Sequence, residues 1–170
     1  MIKRETETGA EAKIWSALET IPDPEIPVLS IVDLGIVRKV SITENGEPAI
    51  TITATYTGCP AMDMIAIEIR MKLAATGYKQ VTLINAISPA WTTDWMSEEG
   101  KQKLKEYGIA PPNSKQQVCD QNLFAEADAV QCPQCNSYNT YRISEFGSTA
   151  CKALYQCNNC KEPFDYFKCH

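Results

Sequence analysis

Four cysteines near the end of the chain have the spacing of a metal site. Cys132 pairs with Cys135, and Cys157 with Cys160, in two Cys-x-x-Cys units separated by 21 residues. Zinc prefers four thiolates in a tetrahedron, and each unit presents two sulfurs from one tight turn. About 40 residues cannot bury enough apolar surface to fold unaided, so a metal would replace part of the core. The spacing predicts a structural zinc ribbon over residues 132–170; rubredoxin-like iron and redox-active thiols are the alternatives.

Three further candidate ligands lie in the same segment but outside the paired units. Either Cys151 is a buried or spare thiol and Cys169 and His170 form a loose end, or Cys151 with one of these two forms a second, labile soft-metal site. Cys119 lies alone in a polar stretch, and we interpret it as incidental.

Cys59 is the other cysteine placed for chemistry, because it stands between a predicted strand and a predicted helix. Pro60 suits the first helical position. Helix N-termini carry unpaired N–H groups and partial positive charge, which predicts a lowered pKa for the Cys59 thiol. It is therefore a candidate nucleophile or soft-metal ligand, with an inert buried thiol as the alternative.

An acidic, proline-punctuated loop precedes that region. Asp23 and Glu25 stand among three prolines over residues 22–27. They either cap a helix and do nothing more, or orient groups near Cys59 if the loop folds over the strand ends. The only histidine is His170, so no Cys–His pair is available here for a cysteine hydrolase. Glycine-rich phosphate loops are also absent from the sequence.

The elements that must position these residues follow from hydrophobic periodicity and turn signals. They are a helix at 8–20, strands at 36–43 and 49–56, a helix at 61–75, a strand at 80–87 and a helix from Ser97 to about Tyr107. Asn45-Gly46 predicts a tight turn and an antiparallel hairpin between the first two strands. The strand, helix and strand that follow predict parallel pairing.

This order predicts two folded regions. Residues 1–110 form a small α+β sandwich with a three-to-four-stranded mixed sheet, residues 111–131 a linker, and residues 132–170 the zinc ribbon. Trp91 and Trp95 are interpreted as core residues rather than a ligand platform.

Composition narrows the class of protein and its partners. The net charge is −5 with a pI near 5.0, which argues against a nucleic-acid partner. No window approaches the roughly 18 apolar residues that cross a bilayer, and the first residues lack an apolar signal-peptide core. We therefore expect a cytoplasmic protein without a membrane partner, in which reducing conditions favour metal ligands over disulfides for the eight cysteines.

Three motifs in the first region resemble the MIP18 family, also called DUF59. They are Asp-Pro-Glu-Ile-Pro at 23–27, Asp-Leu-Gly-Ile-Val at 33–37 and Thr-Tyr-Thr-Gly-Cys-Pro at 55–60. The resemblance covers roughly residues 10–90 and implies a role in iron–sulfur protein maturation. It implies that Cys59 is the reactive or metal-handling cysteine, with Asp23, Glu25 and Thr55 around it.

Further segments look like one subgroup of that family, PaaD, which serves phenylacetyl-CoA epoxidase in phenylacetate degradation. They lie at 89–96, 144–155 and 162–169. The general family pattern often reads Thr-Thr-Pro-Gly-Cys-Pro, whereas Tyr56 and Thr57 stand here, closer to the PaaD version. This departure leaves open whether the partners match those of general maturation factors.

The resemblance implies an accessory protein, not itself catalytic, that assembles or delivers iron or iron–sulfur centres. Its expected partners are the oxygenase and reductase components of the epoxidase and the iron–sulfur assembly machinery; a homodimer remains open. Its expected cofactors are structural zinc and a transient iron or iron–sulfur cargo. The alternatives are a stable non-catalytic subunit of the epoxidase complex and a thiol-dependent oxidoreductase.

Overall fold

A computed structural model describes residues 9–56, 58–112 and 130–168 of the chain. The chain divides into two compact units, Met1–Gly100 and Lys101–His170. The predicted linker at 111–131 lies mostly outside the described residues, so the predicted domain boundaries stay a prediction. Within the described ranges, every helix is too short or too polar to span a lipid bilayer.

The helices and strands follow the predicted order. They are α1 (Gly9–Leu18), β1 (Val37–Ile42), β2 (Pro48–Ile52), α2 (Ala61–Ala75), β3 (Thr82–Asn85), α3 (Glu98–Glu106), β4 (Ile109–Ala110), β5 (Thr140–Ser144), β6 (Lys152–Cys157) and β7 (Pro163–Phe167). A single 3-10 turn, Thr93–Trp95, precedes α3. The prediction of an α+β fold followed by a zinc ribbon is confirmed.

The first unit contains a three-stranded mixed sheet in the order β1-β2-β3. β1 and β2 are antiparallel, and Gly46 in the turn between them has a φ of 78° that favours glycine. β2 and β3 are parallel, with α2 in the connection. β2 ends at Ile52, short of the predicted residue 56, where the Thr53 hydroxyl donates to the Ala86 carbonyl at 2.9 Å.

Aliphatic side chains from α1, α2, the sheet and the loop between α1 and β1 form the core of this unit. The largest fully buried ones are Ile14, Leu18, Ile26, Leu29, Ile31, Leu34, Ile50, Ile52, Ile65, Ile69 and Leu73. Burial of each such side chain contributes about 1.5–3 kcal/mol. The α2 members recur every four residues and form one apolar stripe on the buried face of the helix.

The turn after Leu34 is held by Asp33. Its carboxylate accepts the Ser30 N–H at 3.1 Å and the Ser97 hydroxyl at 2.8 Å. Ser97 in turn caps α3, because its hydroxyl oxygen accepts the Gly100 N–H at 2.8 Å. Asp33 therefore ties the turn to the start of α3, as a structural residue.

Gly35 stands in the same turn, at a position that only glycine fits. Its φ is 68°, and a Cβ there would lie 2.5 Å from the carbonyl oxygen of Trp95. Trp95 itself lies under the Arg38 guanidinium, 3.3 Å from the ring centroid. Trp91 is buried and donates its indole N–H to the Leu34 carbonyl at 2.9 Å. The interpretation of Trp91 as a core residue is confirmed.

The second unit contains a four-stranded sheet in the order β4-β7-β6-β5. β6 is antiparallel to both β5 and β7, whereas β4 pairs with β7 in parallel. Its core is small and includes two of the paired cysteines. The buried cluster consists of Ala110, Val130, Cys132, Ala153, Tyr155, Cys157, Phe164 and Tyr166. Cysteine thiols thus form part of the core of the second unit, whereas the core of the first unit is mainly aliphatic.

Candidate metal centre and reactive thiol

The two Cys-x-x-Cys units adopt the same local structure. The Cys132 carbonyl accepts the Asn136 N–H at 2.9 Å, and the Cys157 carbonyl accepts the Lys161 N–H at 3.0 Å. Asn136 and Lys161 both have positive φ, 61° and 67°. Each left-handed residue turns the chain sharply after the second cysteine, so that both thiols of a unit face the same side.

The hairpin of β5 and β6 brings the two Cys-x-x-Cys turns together. All four sulfurs lie within 4.8 Å of one another. Cys132 Sγ is 3.7 Å from Cys160 Sγ, and Cys135 Sγ is 3.5 Å from Cys157 Sγ. A tetrahedral ion with metal–sulfur bonds of about 2.3 Å requires sulfur–sulfur distances of about 3.8 Å. The geometry therefore fits one tetrahedral metal ion with four thiolate ligands and no open position.

The electrostatics of this site favour a bound cation over four free thiolates. The backbone N–H of Cys160 lowers the pKa of Cys157 to about 6. For Cys160, the backbone N–H of Glu162 lowers the pKa, but burial and the neighbouring thiols outweigh it and raise the value to about 12. One thiolate therefore opposes ionisation of the next. Four thiolates at these distances become stable together only with a metal ion among them.

The proposed second soft-metal site is not tested by the structure. Cys151 is buried at the start of β6, with the Thr149 hydroxyl oxygen 3.0 Å from its sulfur. It does not belong to the four-cysteine group. Cys169, His170 and Cys119 lie outside the described residues.

Cys59 lies half-buried between β2 and α2, as predicted. Pro60 occupies the N-cap of α2 rather than its first helical position. The predicted direction of the Cys59 pKa is wrong, because burial raises the pKa of the thiol. Hydrogen bonds from the Ala61 N–H and the Tyr56 side chain lower it, but they do not offset the desolvation of the charged form.

The acidic loop acts on Cys59 through its charges. The negative charges of Glu25 and Asp23 add to the effect of burial and further raise the pKa of Cys59. Asp23 is buried, and one carboxylate oxygen accepts the N–H groups of Glu25 at 2.9 Å and Ile26 at 2.8 Å. Asp23 therefore folds the loop, and the same fold brings Glu25 toward the thiol. Thr55 is buried in the segment that leads from β2 to Cys59.

Sequence reasoning did not assign a role to Tyr56. The structure gives its side chain a hydrogen bond to Cys59, which stabilises the thiolate form. The available signal was its position three residues before the cysteine, where the general family motif has threonine. Thr57, between them, lies outside the described residues.

Two family models match the chain, one for each unit. Residues 11–85 match the model described as "Iron-sulfur cluster assembly protein". Residues 116–168 match the model described as "PaaD zinc beta ribbon domain". The first match includes Asp23, Glu25 and Cys59, and the second includes all four clustered cysteines.

Known proteins resemble the whole chain or its first unit. The chain is 51% identical over 158 residues to a protein of Escherichia coli named as a putative 1,2-phenylacetyl-CoA epoxidase subunit, and the match covers 92% of each chain. It is 39% identical over 95 residues to an Fe-S protein maturation auxiliary factor of Porphyromonas gingivalis, which covers 55% of this chain and 90% of that protein.

A solved structure shares the fold of the first unit. A DUF59 domain of unknown function from Bacillus anthracis matches with a TM-score of 0.52 and 31% identity, over 56% of this chain and 91% of that domain. This match covers 56% of the chain, whereas the match to the epoxidase subunit covers 92% of it and therefore includes the ribbon. The chain therefore belongs to the PaaD family, in which a DUF59-type domain is joined to a four-cysteine ribbon.

Proposed function

We propose that this protein is a cytoplasmic accessory factor that assembles or delivers iron or iron–sulfur centres to the components of a phenylacetyl-CoA 1,2-epoxidase. The observation that carries the proposal is the environment of Cys59, a half-buried thiol beside two carboxylates. The E. coli relative is named as an epoxidase subunit, and the relatives of the first unit are named as Fe-S maturation factors.

The charges around Cys59 suit transient binding of a cation. Burial, together with the charges of Glu25 and Asp23, raises the pKa of Cys59 and disfavours a bare thiolate, so the thiol is mostly protonated at neutral pH while the site has no cargo. A positive metal centre reverses this balance, because the carboxylates attract it and it favours ionisation of the sulfur. Tyr56 and the Ala61 N–H then stabilise the ligand form of Cys59. Thr55 completes the buried wall of this site in our proposal.

The ribbon has a different part in this proposal. Zinc held by Cys132, Cys135, Cys157 and Cys160 supplies a permanent cross-link between the two turns. The ribbon then presents its outer strand, β5, to the client protein. Tyr141 and Ile143 on β5 are 46% and 49% exposed, which makes this strand a suitable contact for the oxygenase or reductase.

The decisive experiment measures iron in the oxygenase, and iron and acid-labile sulfide in the reductase, after purification from cells that lack this protein. We expect one client to be deficient and to recover with the wild-type protein but not with Cys59→Ala. Cys151→Ala is the matched control, since it removes a buried thiol elsewhere. Normal loading of both clients without the protein, or full recovery with Cys59→Ala, would contradict delivery through this thiol.

A stable, non-catalytic component of the epoxidase complex is the second candidate. The 51% identity to a protein that is named as part of the epoxidase favours it. Co-purification with the oxygenase in fixed stoichiometry, with clients fully loaded in its absence, would support this role over delivery. A thiol-dependent oxidoreductase is less well supported, because the raised pKa of Cys59 lowers the thiolate fraction that such catalysis needs.

A further inference from the structure

One face of α2 is apolar and exposed. The buried residues of the helix, Ile65, Ile69 and Leu73, recur every four positions and face the core. On the opposite side Met64, Ile67 and Met71 recur at spacings of three and four, and they are 50%, 50% and 67% exposed. Residues at these spacings form one continuous stripe along a helix. The helix therefore has two apolar stripes, and only one of them packs against its own unit.

The size of this surface exceeds that of a scattered apolar residue. Three long side chains exposed by half or more present on the order of 300 Å² in one stripe, which is the lower end of the size of the largest apolar patch on a typical monomer, a patch that is often functional. Stable dimers bury about 800 Å² on each partner, so the stripe alone supports a weak complex. A helix against a helix is the geometry that a stripe of this shape fits.

The charges beside the stripe indicate what covers it. Asp63 and Arg70 are both exposed and stand seven residues apart, so they lie on the same edge of the helix, two turns apart. A second copy of α2 packed antiparallel, about a two-fold axis, puts Asp63 of each copy beside Arg70 of the other. Along this edge the negative charge precedes the positive one. The edge is therefore complementary in charge to the same edge of a second, antiparallel helix.

We propose that α2 is the contact between two copies of this chain in a weak, antiparallel homodimer. The stripe supplies the buried apolar area, and the two symmetric Asp63–Arg70 pairs set the orientation. This contact is independent of the iron-delivery proposal, because its residues face away from the core while Cys59 lies before the start of the helix.

Charge reversal tests self-complementarity directly. Sedimentation of the reduced, full-length, zinc-loaded protein should show a monomer–dimer equilibrium with a dissociation constant in the micromolar range. Asp63→Arg and Arg70→Asp should each weaken it at least about tenfold. An equimolar mixture of the two variants should recover dimer formation to within about threefold of the wild type, because each copy then opposes the other's changed charge.

The outcomes separate a second copy from any other occupant of the face. Met71→Glu should abolish dimerisation, whereas Ile87→Glu, at a side chain 90% exposed outside α2, should leave it unchanged. Circular dichroism confirms that the variants are folded. A wild-type protein that stays monomeric to about 1 mM would overturn the proposal. So would a mixture of charge variants that remains as weak as either variant alone, which would exclude the antiparallel pairing.

Discussion

The two units of this protein are stabilised by different means. The first unit has aliphatic side chains from two helices and a sheet at 0–2% exposure, which is enough for a core without cross-links. The ribbon has a smaller buried cluster, and two members of this cluster are cysteines. The same contrast applies to their thiols: four in the ribbon fit one permanent metal ion, whereas Cys59 in the first unit lies in surroundings suited to a temporary one. The residues around each cysteine therefore decide whether its thiol suits permanent or temporary metal binding, since the side chain itself is the same.

Removal of the ribbon metal should have the largest effect. With a strong chelator, or with Cys132→Ser, we expect the ribbon to unfold and the first unit to stay folded, because metal binding at such sites supplies about 10–16 kcal/mol. Amide NMR signals of residues 130–168 should collapse while those of residues 9–56 remain dispersed. The control is Cys151→Ser, which should keep one equivalent of zinc. If the ribbon stays folded without metal, the two units do not differ in what stabilises them.

A substitution at Gly35 should affect the first unit alone. Gly35→Ala places a Cβ against the Trp95 carbonyl and strains a left-handed residue, so the free energy of unfolding of this unit should fall by about 3 kcal/mol or more. Gly46→Ala is the matched control, since it has a similar φ but open space around the Cβ, and should cost about 1 kcal/mol. Urea titration measures both, and the zinc content should not change. Equal losses for the two variants would show that the close contact contributes nothing.

Zinc binding should depend steeply on pH. In the metal-free ribbon, which should be unfolded, cysteine thiols keep their ordinary pKa of about 8.5, so they are mostly protonated at pH 7 and must lose their protons to bind zinc. As the pH rises there are fewer protons to displace, so the affinity rises by about tenfold per pH unit for each proton that is still bound. Calorimetry in buffers of different ionisation enthalpy counts the protons released. If zinc binding releases no protons near pH 7, the thiols are already ionised without metal.

The smallest effect is expected at Cys59. Glu25→Gln removes a negative charge that raises the pKa of the thiol, so the pKa should fall and the thiolate fraction at a given pH should rise. Alkylation of Cys59, followed by mass spectrometry of its peptide, should become roughly two- to fivefold faster. Tyr56→Phe should shift the rate the opposite way, because it removes a hydrogen bond to the thiolate. An unchanged rate in Glu25→Gln would show that the acidic loop does not control this sulfur.

Much of the fold followed from local sequence patterns. The bounds of α2 at 61–75 were predicted without error, because hydrophobic periodicity and Pro60 at the start indicate the same helix. The hairpin and the parallel strand were predicted for similar reasons. The end of β2 was not, because the alternating pattern of residues 49–56 continues past Ile52, where the strand ends.

The candidate sites were likewise predictable only where local sequence determines them. The four-cysteine cluster was predictable because the ligands of each turn are neighbours in sequence and the metal chemistry is restrictive. The direction of the Cys59 pKa was not, because helix position is visible in the sequence whereas burial and the approach of Glu25 are tertiary effects. The second stripe of α2 was also missed: periodicity shows that residues share a face, but not that the face stays uncovered.

The pairing of β4 with β7 has a consequence for synthesis on the ribosome. β4 ends at Ala110, but its neighbour begins only at Pro163, after both halves of the metal site. At 5–20 residues per second, β4 waits roughly 3–10 s after translation for its hydrogen-bonding partner. The first unit is complete by then and folds ahead of the ribbon. A nascent chain that stalls before Cys157 would therefore carry a folded first unit with a ribbon unable to complete its metal site.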